Sequence, residues 1–231
     1  MANFNTHLNT AAAATGLTSA ALLSAGHIDL NSALWLWFIG TVGGLLPDID
    51  SDNSTSLDSL FALFALTVIL LVLRFITSGQ FREISFTELI IIPVLVYGIM
   101  KYVIRPVFEK ITDHRGSCHS LLFLLLCALL TTQVTWRLSH ADSQHSDIIA
   151  WLAGGFVFLG GVIHLLLDEI FSVDLRNIRI KSSFGSALKL ADFDNKILTL
   201  LTIIAVCVLL YISPASENTI SILTNWSNFV L

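Results

Sequence analysis

Residues 147–170 read DIIAWLAGGFVFLGGVIHLLLDEI, an apolar stretch that carries a histidine and two acidic residues near its end. A stretch of this length is long enough to cross a bilayer as a helix. Further segments have the same character, at 9–26, 31–47, 57–76, 86–106, 118–137 and 196–213. The sequence therefore predicts an all-α membrane protein, a polytopic bundle of about seven transmembrane or membrane-embedded helices. We expect residues 1–213 to form a single membrane-embedded domain, followed by a polar tail over 214–231 that includes a short amphipathic helix.

The composition excludes several other classes of protein. Of the 231 residues, 55% are hydrophobic and 13% charged, and the mean hydropathy is +0.79. A soluble domain is about one quarter charged, so a water-soluble globule is excluded. The formal charge of −5 leaves no basic surface for nucleic acid. The cysteines, at positions 118, 127 and 207, are spaced too irregularly for a disulfide framework or a CxxC metal knuckle.

The clusters of candidate site residues at the helix ends all fall on one predicted membrane face. Counting crossings places segments 48–56, 107–117 and 171–195 on the face that holds the N-terminus. Most lysines and arginines are on this face, which the positive-inside rule assigns to the cytoplasm. Ionisable groups at the ends of apolar helices are costly and mark functional sites. Those on this face are His7, Asp48, Asp50, His114, Arg115, His119, Ser120 as a polar neighbour, His164 and Asp168.

The pair His164 and Asp168 is the most informative pattern in the sequence. A spacing of four places both side chains on one helical face, one turn apart. A buried carboxylate must be paired, protonated or bound to a metal, so the alternatives are a metal site and a structural His–Asp hydrogen bond. Imidazole and carboxylate ligands without converging thiolates favour zinc or another first-row divalent ion. Asp48 and Asp50 follow Pro47 and are either cation ligands or part of a solvated turn.

The segment around His114 and His119 adds further candidates. A spacing of five is poor for one helical face, and Gly116 between the two histidines predicts His114 in a loop and His119 in the first turn of the next helix. The planar guanidinium of Arg115 fits a pair of phosphate oxygens. The alternative for this arginine is an anchor at the lipid headgroups.

Four motifs together resemble a known family: THL at 6–8, GLLPDID at 44–50, HRGSCHS at 114–120 and HLLLDEIFS at 164–172. They resemble the YdjM-type family of predicted membrane-bound metal-dependent hydrolases, described as LexA-regulated in bacteria. Its members usually show HRGxTHS, and Cys118 stands here where they have threonine. The family is distantly similar to the zinc-dependent phospholipase C and P1 nuclease group, in which Asp, His and HxxxD or HxxxE ligands on a helical scaffold cleave phosphoesters.

The resemblance implies a phosphoester hydrolase with one to three divalent ions, zinc first and manganese second. The implied metal ligands are His7, Asp48, Asp50, His114, His119, His164 and Asp168. Asp50 would accept the proton of the attacking water, Arg115 would neutralise a phosphate oxygen, and Ser120 would orient a ligand.

We expect the substrate to be a lipid or lipid-linked phosphoester, reached from the cytoplasmic face of a bacterial inner membrane. Two other classes remain open. A metal-ion transporter would hold its ligands near the bilayer midplane in repeated segments. A non-catalytic membrane protein with a structural metal would saturate the coordination sphere of the ion.

Overall fold

The computed structural model describes residues 3–50, 55–78, 85–107, 118–139, 146–174, 179–180, 188–191, 193 and 195–224. In chain order the elements are α1 (Phe4–Ser24), α2 (Leu30–Gly43), a 3₁₀ turn (Leu46–Asp50), α3 (Thr55–Ser78), α4 (Phe86–Ile99), a π-helical turn (Met100–Ile104), α5 (Leu121–Leu138), α6 (Ser146–Ser172), β1 (Val173–Asp174), β2 (Arg179–Ile180), α7 (Lys196–Tyr211) and α8 (Glu217–Thr224). The two short strands pair antiparallel. The predicted all-α class is confirmed.

The chain forms two compact units, Met1–Pro47 with Gly116–Leu231, and Asp48–Arg115. In the first unit α6 is the central helix and packs against α1, α2, α5 and α8, while α5 also packs against α7. In the second unit α3 packs against α4 and the π-helical turn. Because most of the first unit packs around α6, the residues on the inward faces of this helix are deeply buried.

Glycines allow the backbone of α6 to approach its neighbours closely. A Cβ atom at Gly160 would overlap the carbonyl oxygen of Gly40 and the backbone nitrogen of Gly44. A Cβ atom at Gly154 would overlap the carbonyl oxygen of Ala128 on α5. Small residues at such crossings are typical of helices that associate within a membrane. These contacts place the end of α2 directly against α6.

Helix α1 begins earlier than the sequence predicted. The side chain of Asn3 accepts a hydrogen bond from the backbone N–H of Thr6 at 2.8 Å, so Asn3 caps a helix that starts at Phe4. His7 therefore lies on α1 itself, on the buried stripe that continues with Ala11 one turn later. The helical repeat thus fixes His7 towards the interior of the first unit.

Helix α2 ends earlier than the predicted segment 31–47. Pro47 has no backbone N–H to donate to the carbonyl of Gly43 four residues earlier, so the α-helical hydrogen bonds cannot continue through it. The helix ends at Gly43, and the chain continues into the 3₁₀ turn. This turn carries Asp48, the first residue of the second unit.

The lengths and compositions of the helices agree with a membrane protein. Among the described residues, the helices long and apolar enough to cross a bilayer are Phe86–Val107, Leu121–Leu138 and Ser146–Ser172. Leu30–Gly43 and Lys196–Tyr211 are shorter apolar helices. The predicted tail contains α8, and this helix packs on α6. Asn218 on α8 donates a hydrogen bond to Asp147 on α6 at 2.8 Å.

Candidate metal centre

Three separate elements of the first unit bring imidazole rings to one carboxylate. His164 and Asp168 lie near the end of α6 and are 0% and 2% exposed. His7 comes from the start of α1, and His119 comes from the segment just before α5; both are also buried. The predicted convergence of these four side chains is what the structure shows.

The carboxylate of Asp168 lies between the three rings. Its Oδ1 atom is 3.2 Å from Nε2 of His7. Its Oδ2 atom is 3.6 Å from Nε2 of His164 and 3.8 Å from Nε2 of His119. One carboxylate oxygen therefore faces a single imidazole at hydrogen-bond distance, and the other faces two imidazole nitrogens at longer distances.

The orientation of the His164 ring is set by its neighbours. Its Nδ1 atom is 2.7 Å from the carbonyl oxygen of Gly44, and because a carbonyl only accepts, Nδ1 carries the proton and donates. In the neutral ring this leaves the lone pair on Nε2, which faces Asp168. The His7 ring stacks on His164 with centroids 3.6 Å apart and planes at 12°. The His119 ring meets His164 edge-on at 5.8 Å.

These distances fit a divalent cation. Two ligand atoms about 2.1 Å from a tetrahedral zinc ion lie about 3.4 Å apart, close to the 3.6 and 3.8 Å found at Oδ2 of Asp168. The ligand atoms of His119, His164 and Asp168 all lie within 4.8 Å of one another. Nδ1 of His7 is buried without a hydrogen-bond partner among the described residues. The imidazoles and the carboxylate of that group are donors that suit zinc and other first-row divalent ions.

Four other predicted site residues lie in the 3₁₀ turn or outside the described residues. Asp48 is half-buried in the 3₁₀ turn and belongs to the second unit, as does Asp50 in the same turn. His114 and Arg115 lie outside the described residues. The roles expected for these four residues stay predictions.

The predicted position of His119 in the first turn of a helix is wrong by two residues. Ser120 is the N-cap of α5, because its hydroxyl accepts the backbone N–H of Phe123 at 3.2 Å. His119 therefore precedes the helix. The backbone N–H of Leu121 donates to the carbonyl of Lys189 at 2.9 Å. The chain after α6 thus returns to the start of α5 and fixes the segment that carries His119.

Replacing Ser120 with alanine tests whether its hydroxyl does more than cap α5. We expect the free energy of unfolding to fall by about 1 kcal/mol, since an N-cap bond is lost, while the metal content stays unchanged. Thermal unfolding in detergent and elemental analysis measure the two quantities. Ser85→Ala removes the corresponding N-cap of α4 and serves as the matched control. Loss of metal in Ser120→Ala alone would instead assign the hydroxyl a role in orienting a ligand.

A comparison with protein families identifies the family of this chain. A family model described as YdjM inner membrane protein matches residues 1–216. The chain belongs to the YdjM family. Neither a curated protein nor a solved structure matches it. The YdjM match covers all the predicted site residues and confirms the resemblance drawn from the four motifs, and this family is one of membrane proteins.

The structure adds one site feature of this YdjM chain that the sequence did not reveal. The Gly44 carbonyl is a backbone group, so no side-chain pattern identifies it as the partner of His164. The motif GLLPDID begins at this glycine, and that is the signal available in the sequence. Backbone carbonyls commonly fix the ring and tautomer of metal-ligating histidines.

Proposed function

We propose that this YdjM-family protein is a metal-dependent hydrolase whose centre is built by His7, His119, His164 and Asp168. The observation that carries the proposal is a buried carboxylate facing three imidazole rings from three elements. A carboxylate removed from water in this way requires a compensating charge or hydrogen bonds. A bound divalent cation would supply Lewis-acid stabilisation of charge on a phosphoryl oxygen and would activate water as the nucleophile.

The protein's own groups hold the ligands in place. The Gly44 carbonyl fixes the His164 ring with Nε2 directed to Asp168. His7 faces the other carboxylate oxygen at 3.2 Å and stacks on His164, so it restricts rotation of both side chains. Contacts that fix the orientation of ligand side chains raise metal affinity.

We assign the remaining roles from the sequence. Asp48 and Asp50 in the motif GLLPDID would be further metal ligands, as the family resemblance implies. Asp50 would also accept the proton of the attacking water. Arg115, with its planar pair of donors, would neutralise a phosphate oxygen.

The substrate that we propose is a lipid or lipid-linked phosphoester, reached from the cytoplasmic face of the inner membrane. Two observations support it. The family is one of inner membrane proteins, and the histidines and Asp168 lie at helix ends rather than in helix centres. The distribution of lysine and arginine in the sequence supports the cytoplasmic face.

A structural metal site is the second candidate function. Four donor side chains on one ion would saturate a structural zinc site, whereas a catalytic zinc ion retains an open position. Metal-ion transport is less well supported, because transporters hold their ligands near the bilayer midplane, and here His7 is near the start of α1 and Asp168 near the end of α6.

Metal content and hydrolysis measured on the same preparation test the proposal. We expect the detergent-purified protein to contain stoichiometric zinc or manganese and to hydrolyse phosphoesters in phospholipid micelles. A chelator should abolish the hydrolysis, and the metal should restore it. In the double variant His164→Ala with Asp168→Ala, both metal and hydrolysis should be lost.

The double variant His27→Ala with Asp147→Ala is the matched control, since it removes the same residue types outside the cluster. It should retain metal and activity. Stoichiometric metal without hydrolysis of any lipid phosphoester would favour the structural site. A protein without metal after reconstitution would leave a polar His–Asp network and contradict the proposal.

A further inference from the structure

A polar cleft lies within the unit Asp48–Arg115, between α3 and the π-helical turn that continues α4. Its volume is about 170 Å³. Its apolar floor includes Phe61 and Ala65, and Asp58, Tyr97, Lys101 and Arg105 line its polar side. Single π-helical turns within α-helices frequently occur at functional sites. This cleft is separate from the residues that carry the proposed hydrolase function.

Among the described residues, one cation of the cleft has no acidic partner. Arg105 forms an ion pair with Asp58, so these two charges compensate each other. Lys101 has no carboxylate partner among the described residues. Its Nζ atom lies 5.7 Å from the ring centroid of Tyr97 and 5.8 Å from that of Tyr102. Two cation–π contacts therefore hold the ammonium group at the cleft, which has a net charge of about +1 at neutral pH.

The helix that carries this cation presents an uncovered apolar surface. In the most apolar stretch of the segment Phe86–Val107, no residue is buried. Val94 is 65% exposed and Ile90 is 52% exposed. In a membrane protein such a surface contacts acyl chains, and an ammonium group at the end of an apolar helix is positioned for a lipid headgroup.

We propose that this cleft binds the phosphate of an anionic phospholipid, with the acyl chains lying along α4. Lys101 contributes the uncompensated positive charge, and the Arg105 guanidinium supplies further donors. The Tyr97 hydroxyl is an additional donor to a phosphate oxygen. The apolar surface of the same helix favours a lipid over free phosphate. A lipid covers the polar cleft with its phosphate and the apolar surface with its acyl chains, whereas free phosphate covers only the cleft.

Two charge changes at the cleft should shift lipid affinity in opposite directions. Lys101→Gln removes the uncompensated cation and should weaken binding of phosphatidylglycerol by about fivefold. Asp58→Asn removes the acidic side chain that lines the cleft and should tighten binding by a similar factor. Titration of the detergent-purified full chain with fluorescent phosphatidylglycerol measures both changes. Lys196→Gln, at the exposed start of α7, is the matched control and should leave affinity unchanged.

The opposite signs keep the test independent of folding defects, which would weaken binding in every variant. The thermal midpoint of each variant confirms that it is folded. Equal affinity for phosphatidylcholine would contradict the proposed preference for an anionic headgroup. Displacement of the lipid by equimolar inorganic phosphate would show that the cleft binds free phosphate rather than a lipid. Weaker binding in Asp58→Asn, or an equal loss in Lys196→Gln, would overturn the cleft as the binding site.

Discussion

Asp168→Asn is expected to weaken metal binding by more than about 100-fold. Loss of a group that only hydrogen-bonds to a metal ligand already lowers metal affinity by about 10- to 100-fold. The amide nearly matches the carboxylate in size, so α6 and its packing remain. The substitution removes the negative charge of Asp168 from between the three rings and leaves only a neutral amide oxygen as a possible ligand. It also changes the partner that His7 faces at 3.2 Å. Dialysis against a buffered chelator followed by elemental analysis gives the affinity.

The matched control is Asp147→Asn on the same helix. Asp147 lies in the first turn of α6 and accepts a hydrogen bond from Asn218, away from the histidines. Its substitution should leave metal affinity unchanged. Equal metal binding in wild type and Asp168→Asn would show that the ion lies elsewhere. A wild type that takes up no metal would leave Asp168 as the centre of a structural hydrogen-bond network.

The positions of the helices could be predicted from the sequence because apolar length alone determines them. Each predicted apolar segment overlaps an observed helix, from α1 to α7. The helix ends were less accurate, since caps and proline decide them locally. Asn3 caps the start of α1, and Ser120 caps α5, which therefore begins at Leu121. Pro47 lies in the 3₁₀ turn that follows the end of α2. The π-helical turn Met100–Ile104 lies inside an apolar run that gives no sign of it.

The candidate centre could be predicted in part. The spacing of His164 and Asp168 places them on one face of a helix, and counting membrane crossings places His7 and His119 on the same side of the membrane. Distances, ring stacking and the hydrogen bond to Gly44 depend on how α1, α2 and α6 pack, which no local pattern encodes. The cleft at Lys101 depends in the same way on the contact between α3 and the π-helical turn.

Gly160→Ala is expected to lower the free energy of unfolding by about 3 kcal/mol or more, at the upper end for overpacking. The added methyl would overlap the backbone of Gly40 and Gly44, and backbone atoms cannot move aside as a flexible side chain can. Thermal unfolding in detergent measures the loss. Gly155→Ala on the same helix is the matched control, because a Cβ there meets nothing within 4 Å. Alanine should be neutral or stabilising by up to about 1 kcal/mol at that position.

The same substitution connects helix packing to the metal centre. Gly160 lies one helical turn before His164 on α6, and the backbone that it touches continues to the Gly44 carbonyl, which accepts the His164 Nδ1–H at 2.7 Å. Separating α2 from α6 would lengthen that hydrogen bond and release the ring. We therefore expect folded Gly160→Ala protein to bind metal about 10- to 100-fold more weakly, because a metal ligand loses the hydrogen bond that orients its ring. Unchanged metal affinity in that protein would show that the Gly44 carbonyl does not position the ligand.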